Sequence, residues 1–197
     1  RRRNIRRAAG LGVEVRRGGP EDIELFHDLH TRTGERQGFE PMSLEYLHRQ
    51  ADILGSDTFH VYVAHLDGHP LSAATVTAFG DRAVFKLAGF ADDEQARETR
   101  ASDLLHWEIM QDTKRLGYRF YDLGGFDREA AVVLSQGGEV PDDLRATASQ
   151  FKLGFGGSVK VLPEAQWKIL PFGVAQRPTA FLIDNVEPLK KRLMNLR

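Results

Sequence analysis

The chain has 197 residues, 41% hydrophobic and 28% charged, the profile of an ordinary globular protein long enough to bury one substantial core. Its net charge of −1 hides an asymmetry: residues 1–17 hold seven arginines against one acid, Glu14, about +6, which leaves about −7 for the remainder. The absence of cysteine excludes a disulfide framework, a Cys nucleophile and thiolate metal sites, and the lack of any run near the ~18 apolar residues of a membrane span makes the cytoplasm the expected compartment.

The basic segment 1–17 reads either as a phosphate-binding arm for RNA or a pyrophosphate ligand, or as a solvated helix start. Within it, residues 4–9 predict a short helix ended by Gly10, and 13–15 a short strand before the Gly18-Gly19-Pro20 break. Pro20, Glu21 and Asp22 suit a first helical turn, and Ile23, Phe26 and Leu29 line one face of a helix running to about residue 33. Ser43 is a candidate N-cap for a second helix, in which Leu44, Leu47, Ala51 and Leu54 recur at helical spacing before Gly55.

The hydrophobic period then changes to two. Runs at 59–66, 71–78 and 82–88, joined by Asp67-Gly68 and Gly80-Asp81, predict an antiparallel three-stranded meander. A long helix over 97–116 turns Ala101, Leu104, Leu105 and Ile109 inward, with Trp107 and Met110 at the margin; Trp107 is expected in the core, and His106 as a structural or surface residue. Residues 118–123 predict a strand near the sheet centre. A polar stretch over 127–143 follows, read as a mobile segment beside a site, then a helix over 146–153, an extended run over 158–162 and a terminal helix over 186–196. A meander followed by a helical crossover to a neighbouring strand is a mixed α/β (α+β) arrangement, a mostly antiparallel sheet flanked by helices, and the expected organisation is one domain over 1–197.

Four segments carry a family resemblance: residues 4–15 (NIRRAAGLGVEV), 104–110 (LLHWEIM), 117–125 (GYRFYDLGG) and 151–157 (FKLGFGG). In this order and spacing they resemble the second GNAT-like domain of the Fem family, the aminoacyl-tRNA-dependent aminoacyltransferases of peptidoglycan bridges and their peptide-antibiotic relatives. The resemblance implies a GNAT-like acyltransferase fold with aminoacyl-tRNA as co-substrate and no cofactor; separately, no pair of histidines shows a metal-ligand spacing with a carboxylate, so no metal is expected. It implies a peptide bond formed with the amine of a peptide, peptidyl-nucleoside or peptidoglycan-precursor acceptor. Fem proteins carry another GNAT-like domain before the segment matching residue 4; a chain without it is either a piece of a larger enzyme or a short family member.

Amine attack on an aminoacyl ester creates an oxyanion, which needs a cation or aligned donors near that oxygen. The resemblance places Phe151 and Lys152 near the aminoacyl-tRNA end, Lys152 as that cation and Phe151 as a surface for the terminal adenosine; without it, Phe151 reads as a core aromatic and Lys152 as a solvated helix residue. Asp122, with Gly124 and Gly125, ends a strand and either positions the amine or hydrogen-bonds its own loop. Gly154, Gly156 and Gly157 either admit the backbone to a ligand or permit a bend. Arg97 and Arg100, at the start of the long helix, either bind donor phosphates with that helix N-terminus or are exposed arginines.

Two rival functions remain on the residues alone. An acyl-CoA-dependent N-acyltransferase would use the same fold, but residues 92–103 contain no glycine and are largely acidic, unlike the Gly-rich turn that cradles a CoA pyrophosphate. A non-catalytic binding module would retain the scaffold and make Lys152 dispensable.

Overall fold

The structure, a computed structural model, describes residues 1–139 and 147–162. Contacts divide the chain into two units, Arg1–Val159 and Lys160–Arg197, and the architecture below is that of the first. The helix expected over 186–196 lies outside the described residues.

The order is α1 (Arg2–Gly10), β1 (Glu14–Gly18), a 3-10 turn (Pro20–Asp22), α2 (Ile23–Gln37), α3 (Leu44–Leu54), β2 (Phe59–Leu66), β3 (His69–Phe79), β4 (Arg82–Phe90), α4 (Glu94–Thr99), α5 (Ala101–Arg115), β5 (Phe120–Asp122), α6 (Arg128–Ser135) and α7 (Ala148–Leu153). The strands form one sheet in the order β1-β2-β3-β4-β5. The first three pairings are antiparallel, and β5 joins β4 in parallel after the α4–α5 crossover, since a parallel neighbour requires a long connection. The meander therefore forms as its turn dipeptides predict. At Asp67-Gly68 both central residues have positive φ, 51° and 79°, the two-residue hairpin geometry that matches strand twist.

Both faces of the sheet are covered, which is why β2 is buried at six consecutive residues rather than alternately. Tyr62, Ala64, Ala74 and Val76 face Ala8 of α1 and Leu104, Leu105 and Ile109 of α5. Val61, Val63 and Ala73 face Ile23, Phe26 and Leu29 of α2 and Leu47 and Ala51 of α3. The α2 contact is unusually close at Gly89 of β4, where an added Cβ would stand 2.5 Å from the His30 backbone nitrogen. There His30 Nδ1 donates to the Ala88 carbonyl at 2.7 Å, and Thr33 Oγ1 accepts the Phe90 N–H at 2.8 Å. Only glycine lets the helix approach the strand so closely. The α3 boundaries follow their caps: Ser43 Oγ accepts the Tyr46 N–H, and Gly55 ends the helix at φ 72°.

Five expectations are corrected. The single helix over 97–116 is two helices, because Arg100 adopts the left-handed conformation (φ 58°, ψ 36°) between them; Asp93 starts the first by accepting the Ala96 N–H at 2.7 Å. Trp107 is 40% exposed rather than core. The stretch after residue 127 holds α6, started by the Asp127 carboxylate accepting the Ala130 N–H at 2.9 Å and anchored by buried Ala130 and Ala131; residues 140–146 lie outside the description. Residues 158–162 form no strand. Among the described residues β5 has β4 as its neighbour, and it spans only Phe120–Asp122 of the run expected over 118–123.

Candidate functional site

β5 pairs with β4 over three residues only, Arg82–Val84 with Phe120–Asp122. The chain then leaves the sheet through Leu123, Gly124 and Gly125 while β4 continues to Phe90. This divergence leaves a notch whose floor is the β4 edge from Phe85 onward. Gly124 has φ +75°, and a Cβ there would meet the Phe85 carbonyl oxygen at 3.2 Å. Conformation and space thus both select glycine at this point.

Asp122 holds the turn. One carboxylate oxygen accepts the Gly124 N–H at 2.8 Å, and the other pairs with Arg82 Nη1 at 3.2 Å. Lys152 arrives from α7, whose first turn is capped by Thr147 Oγ1 accepting the Gln150 N–H at 3.3 Å. Its ammonium donates to the Gly125 carbonyl oxygen. Burial lowers the Lys152 pKa from its ordinary value, against the pull of the Asp122 carboxylate in the opposite direction. Lys152, Asp122, Gly124 and Gly125 therefore come together although they are far apart in the chain.

Behind the lysine is an aromatic wall. Phe151 lies 5.3 Å from the His106 ring and 5.3 Å from Phe155, and His106 also meets Phe85 at 4.7 Å and Phe155 at 5.6 Å. The Arg1 guanidinium sits over the Phe151 ring at 4.4 Å and is held by the buried carboxylate of Asp103 at 3.1 Å, which also accepts from Asn4 at 3.3 Å. Phe151 is thus packed on several sides, and its exposed part is what a ligand could reach. His106 Nδ1 is 3.0 Å from the Tyr121 hydroxyl. Burial first, then the nearby Lys152 and Arg1 charges, push His106 down to about 4, so the imidazole is neutral at neutral pH. Burial also raises the Tyr121 phenol, which keeps its proton.

Gly154 lies under Arg1, where a Cβ would meet its Nε at 2.5 Å, and Gly156 turns the chain at φ +79°; neither has a contact with Lys152's partners. Arg97 and Arg100 are not brought to the notch. Arg97 pairs with Asp92 at 3.2 Å and lines a separate cavity of about 310 Å³ with Arg36, Ser72, Phe90, Ala101 and Ser102. Arg36 shares Asp92 at 3.6 Å, and the Ser72 hydroxyl is buried there without a hydrogen-bond partner. Arg100 is the exposed left-handed residue before α5.

Sequence reasoning missed Arg82, Arg1, Asp103, Tyr121, Phe85 and Phe155 as neighbours of the site. For Phe155 a signal existed in its i, i+4 spacing from Phe151. For Arg82 and Asp103 there was none, because an ion pair across 40 or 102 positions leaves no local pattern.

Comparison with known proteins agrees with this architecture. The family model described as acetyltransferase (GNAT) domain matches residues 1–131. The chain is 28% identical over 129 residues to a UDP-N-acetylmuramoylpentapeptide-lysine N(6)-alanyltransferase of Weissella viridescens, a match covering 64% of this chain and 37% of that protein. The chain thus spans well under half the length of this curated relative. Among solved structures, FemX superposes with a TM-score of 0.64 at 16% identity, covering 80% of this chain and 52% of that one. An aminoglycoside acetyltransferase from an uncultured soil metagenomic sample superposes at 0.51 with 14% identity, covering 80% and 96%. The Fem resemblance is borne out by the likeness to the alanyltransferase, and FemX and the other solved structure share the fold.

Proposed function

Because the chain belongs to the acetyltransferase (GNAT) domain family, we propose that its acyl group is an aminoacyl residue delivered by tRNA and that the acceptor is the amine of a peptide. The observation that supports this reading most is the half-buried Lys152 ammonium at the Gly125 carbonyl beside Asp122, in the notch where β5 leaves β4. A cation with fixed neighbours at the end of a strand gap suits a carbonyl carbon turning tetrahedral, since the charge is in place before the oxyanion forms.

In the proposed step, the neutral acceptor amine attacks the ester carbonyl carbon and forms the C–N bond. Lys152 stabilises the oxyanion. Collapse breaks the ester C–O bond, and the ribose hydroxyl leaves with the proton that the amine gives up. The Asp122 carboxylate, already bound to Gly124 and Arg82, orients the loop and is within electrostatic reach of Lys152. His106 is a poor base for this step because its depressed pKa makes the imidazole weakly basic and it is buried and engaged with Tyr121.

The partners in this reading are aminoacyl-tRNA and a peptide, peptidyl-nucleoside or peptidoglycan-precursor amine, with no cofactor. The relative's name specifies alanyl transfer to the lysine of a muramoylpentapeptide, which makes that class of acceptor the first to try. Lys152→Ala should lower single-turnover transfer from aminoacyl-tRNA by at least about a hundredfold while changing tRNA affinity by less than about threefold. Equal losses in both would reduce Lys152 to a binding residue.

A further inference from the structure

Arg1, the N-cap of α1, and the helix's Arg2, Arg3, Arg6 and Arg7 form two groups, and only one group is used by the fold. At 100° per residue, Arg1, Ile5 and Ala8 point inward, where Arg1 binds Asp103 and Ala8 is fully buried against α5. Arg2, Arg3, Arg6 and Arg7 occupy an arc of about 140° on the opposite side, and all four are exposed. Several arginines elsewhere are matched to acids: Arg16 to Asp22, Arg17 and Arg115 to Asp112, Arg36 and Arg97 to Asp92, and Arg119 to Asp81. Among the described residues none of these four has a carboxylate within salt-bridge distance.

This arrangement is locally unfavourable. Arg2 and Arg3 stand in the first turn, against the positive end of the helix dipole, with no acid in that turn. Arg2 with Arg6 and Arg3 with Arg7 are like-charge pairs four residues apart. The rest of the chain is acidic on balance, about −7, so the strip is a concentrated positive field on a negative body. Its inward neighbour Arg1 lies over Phe151, next to Lys152, which sets the strip beside the candidate site.

We propose that the outer face of α1 is the docking surface for the phosphodiester backbone of the RNA donor's acceptor arm, with Arg2, Arg3, Arg6 and Arg7 as its phosphate contacts. This inference rests on the tRNA-dependent reading for its partner. Charge complementarity selects a polyanion with repeated phosphates over a single small anion, since four guanidinium groups are spread along two helical turns.

The test is binding of this chain to a fluorescein-labelled hairpin RNA with a single-stranded 3′ end, measured by anisotropy from 50 to 200 mM salt. Replacing Arg2, Arg3, Arg6 and Arg7 by Gln keeps helix propensity, and retained far-UV circular dichroism verifies the fold. The expected result is at least a tenfold weaker affinity and a drop of about 3 in the magnitude of the log K against log salt slope. The double change Arg32→Gln and Arg49→Gln, on the helices of the opposite sheet face, should leave the slope unaltered. Unchanged affinity and slope in the quadruple variant overturn the proposal. So does a wild-type chain that ignores RNA but binds anionic phosphatidylglycerol vesicles through these arginines. Transfer is read separately: RNA binding lost with the four arginines, in a protein that transfers no aminoacyl group, upholds the surface and rejects the function.

Discussion

At the residue scale, burial decides what two titratable side chains near the notch, Lys152 and His106, can do. Lys152 is half-buried beside Asp122 with its ammonium pKa lowered, so the charge that the proposed step needs is lost at lower pH than for an ordinary lysine. Transfer should fall as pH rises through that depressed pKa, and Lys152→Ala should abolish this basic limb along with most of the rate; a limb that persists in the variant belongs to another group. His106 works in the opposite part of the scale. Its folded pKa near 4 lies below the ordinary 6.5, so between those values the unfolded chain binds more protons and stability falls as pH drops from about 6.5 to 4. The depression corresponds to a loss on the order of 3 kcal/mol. Urea unfolding at pH 7 and pH 4.5 should show this loss in the wild type and a smaller one in His106→Gln, whose side chain does not titrate; equal losses would place the acid sensitivity elsewhere.

At the element scale, two backbone positions shape the site. Arg100 holds a left-handed conformation between α4 and α5, which costs a residue with a Cβ about 1–2 kcal/mol. Arg100→Gly should therefore stabilise the chain by about 0.5–1 kcal/mol in urea unfolding, after the entropy of the added glycine is subtracted; destabilisation would mean the Arg100 side chain does more than join helices. Gly89→Ala should act oppositely, by about 1–3 kcal/mol, because the methyl would press on backbone atoms of α2 rather than on a side chain that can move. The meander, its turns and the α3 caps were legible because period, turn dipeptides and Ser43 are local signals. The break at Arg100 was not, since nothing in Glu98-Thr99-Arg100-Ala101 opposes helix and only tertiary packing of Thr99 and Ala101, both buried, selects the kink. Likewise α6 was hidden in a polar stretch, because its apolar contribution is small: Ala130 and Ala131 are its buried residues. The aromatic wall was legible in type, through Phe151 and Phe155, but His106 and Tyr121 meet it only after β5 has been laid beside β4.

At the scale of the whole molecule, charge and topology converge on one end of α5. Its first turns carry Asp103, which fixes Arg1 over Phe151, while Ala101 and Ser102 line the cavity that also holds Arg97. The GNAT scaffold supplies the open β4 edge, and α7 supplies the cation. Such a scaffold supports several acyl donors, and the proposed reading rests on the donor's handle: a glycine-free, acidic segment at residues 92–103 offers little to a pyrophosphate, whereas the arginine strip of α1 would offer repeated contacts to an RNA backbone. The most direct test is to supply the purified chain with a defined set of aminoacyl-tRNAs and peptide amines, including a muramoylpentapeptide with lysine, beside a parallel reaction with acetyl-CoA, and to weigh the products. The expected product is an increment of one amino-acid residue that vanishes when the donor is pretreated with ribonuclease. An acetyl increment from acetyl-CoA, with no amino-acid increment from tRNA, would contradict it.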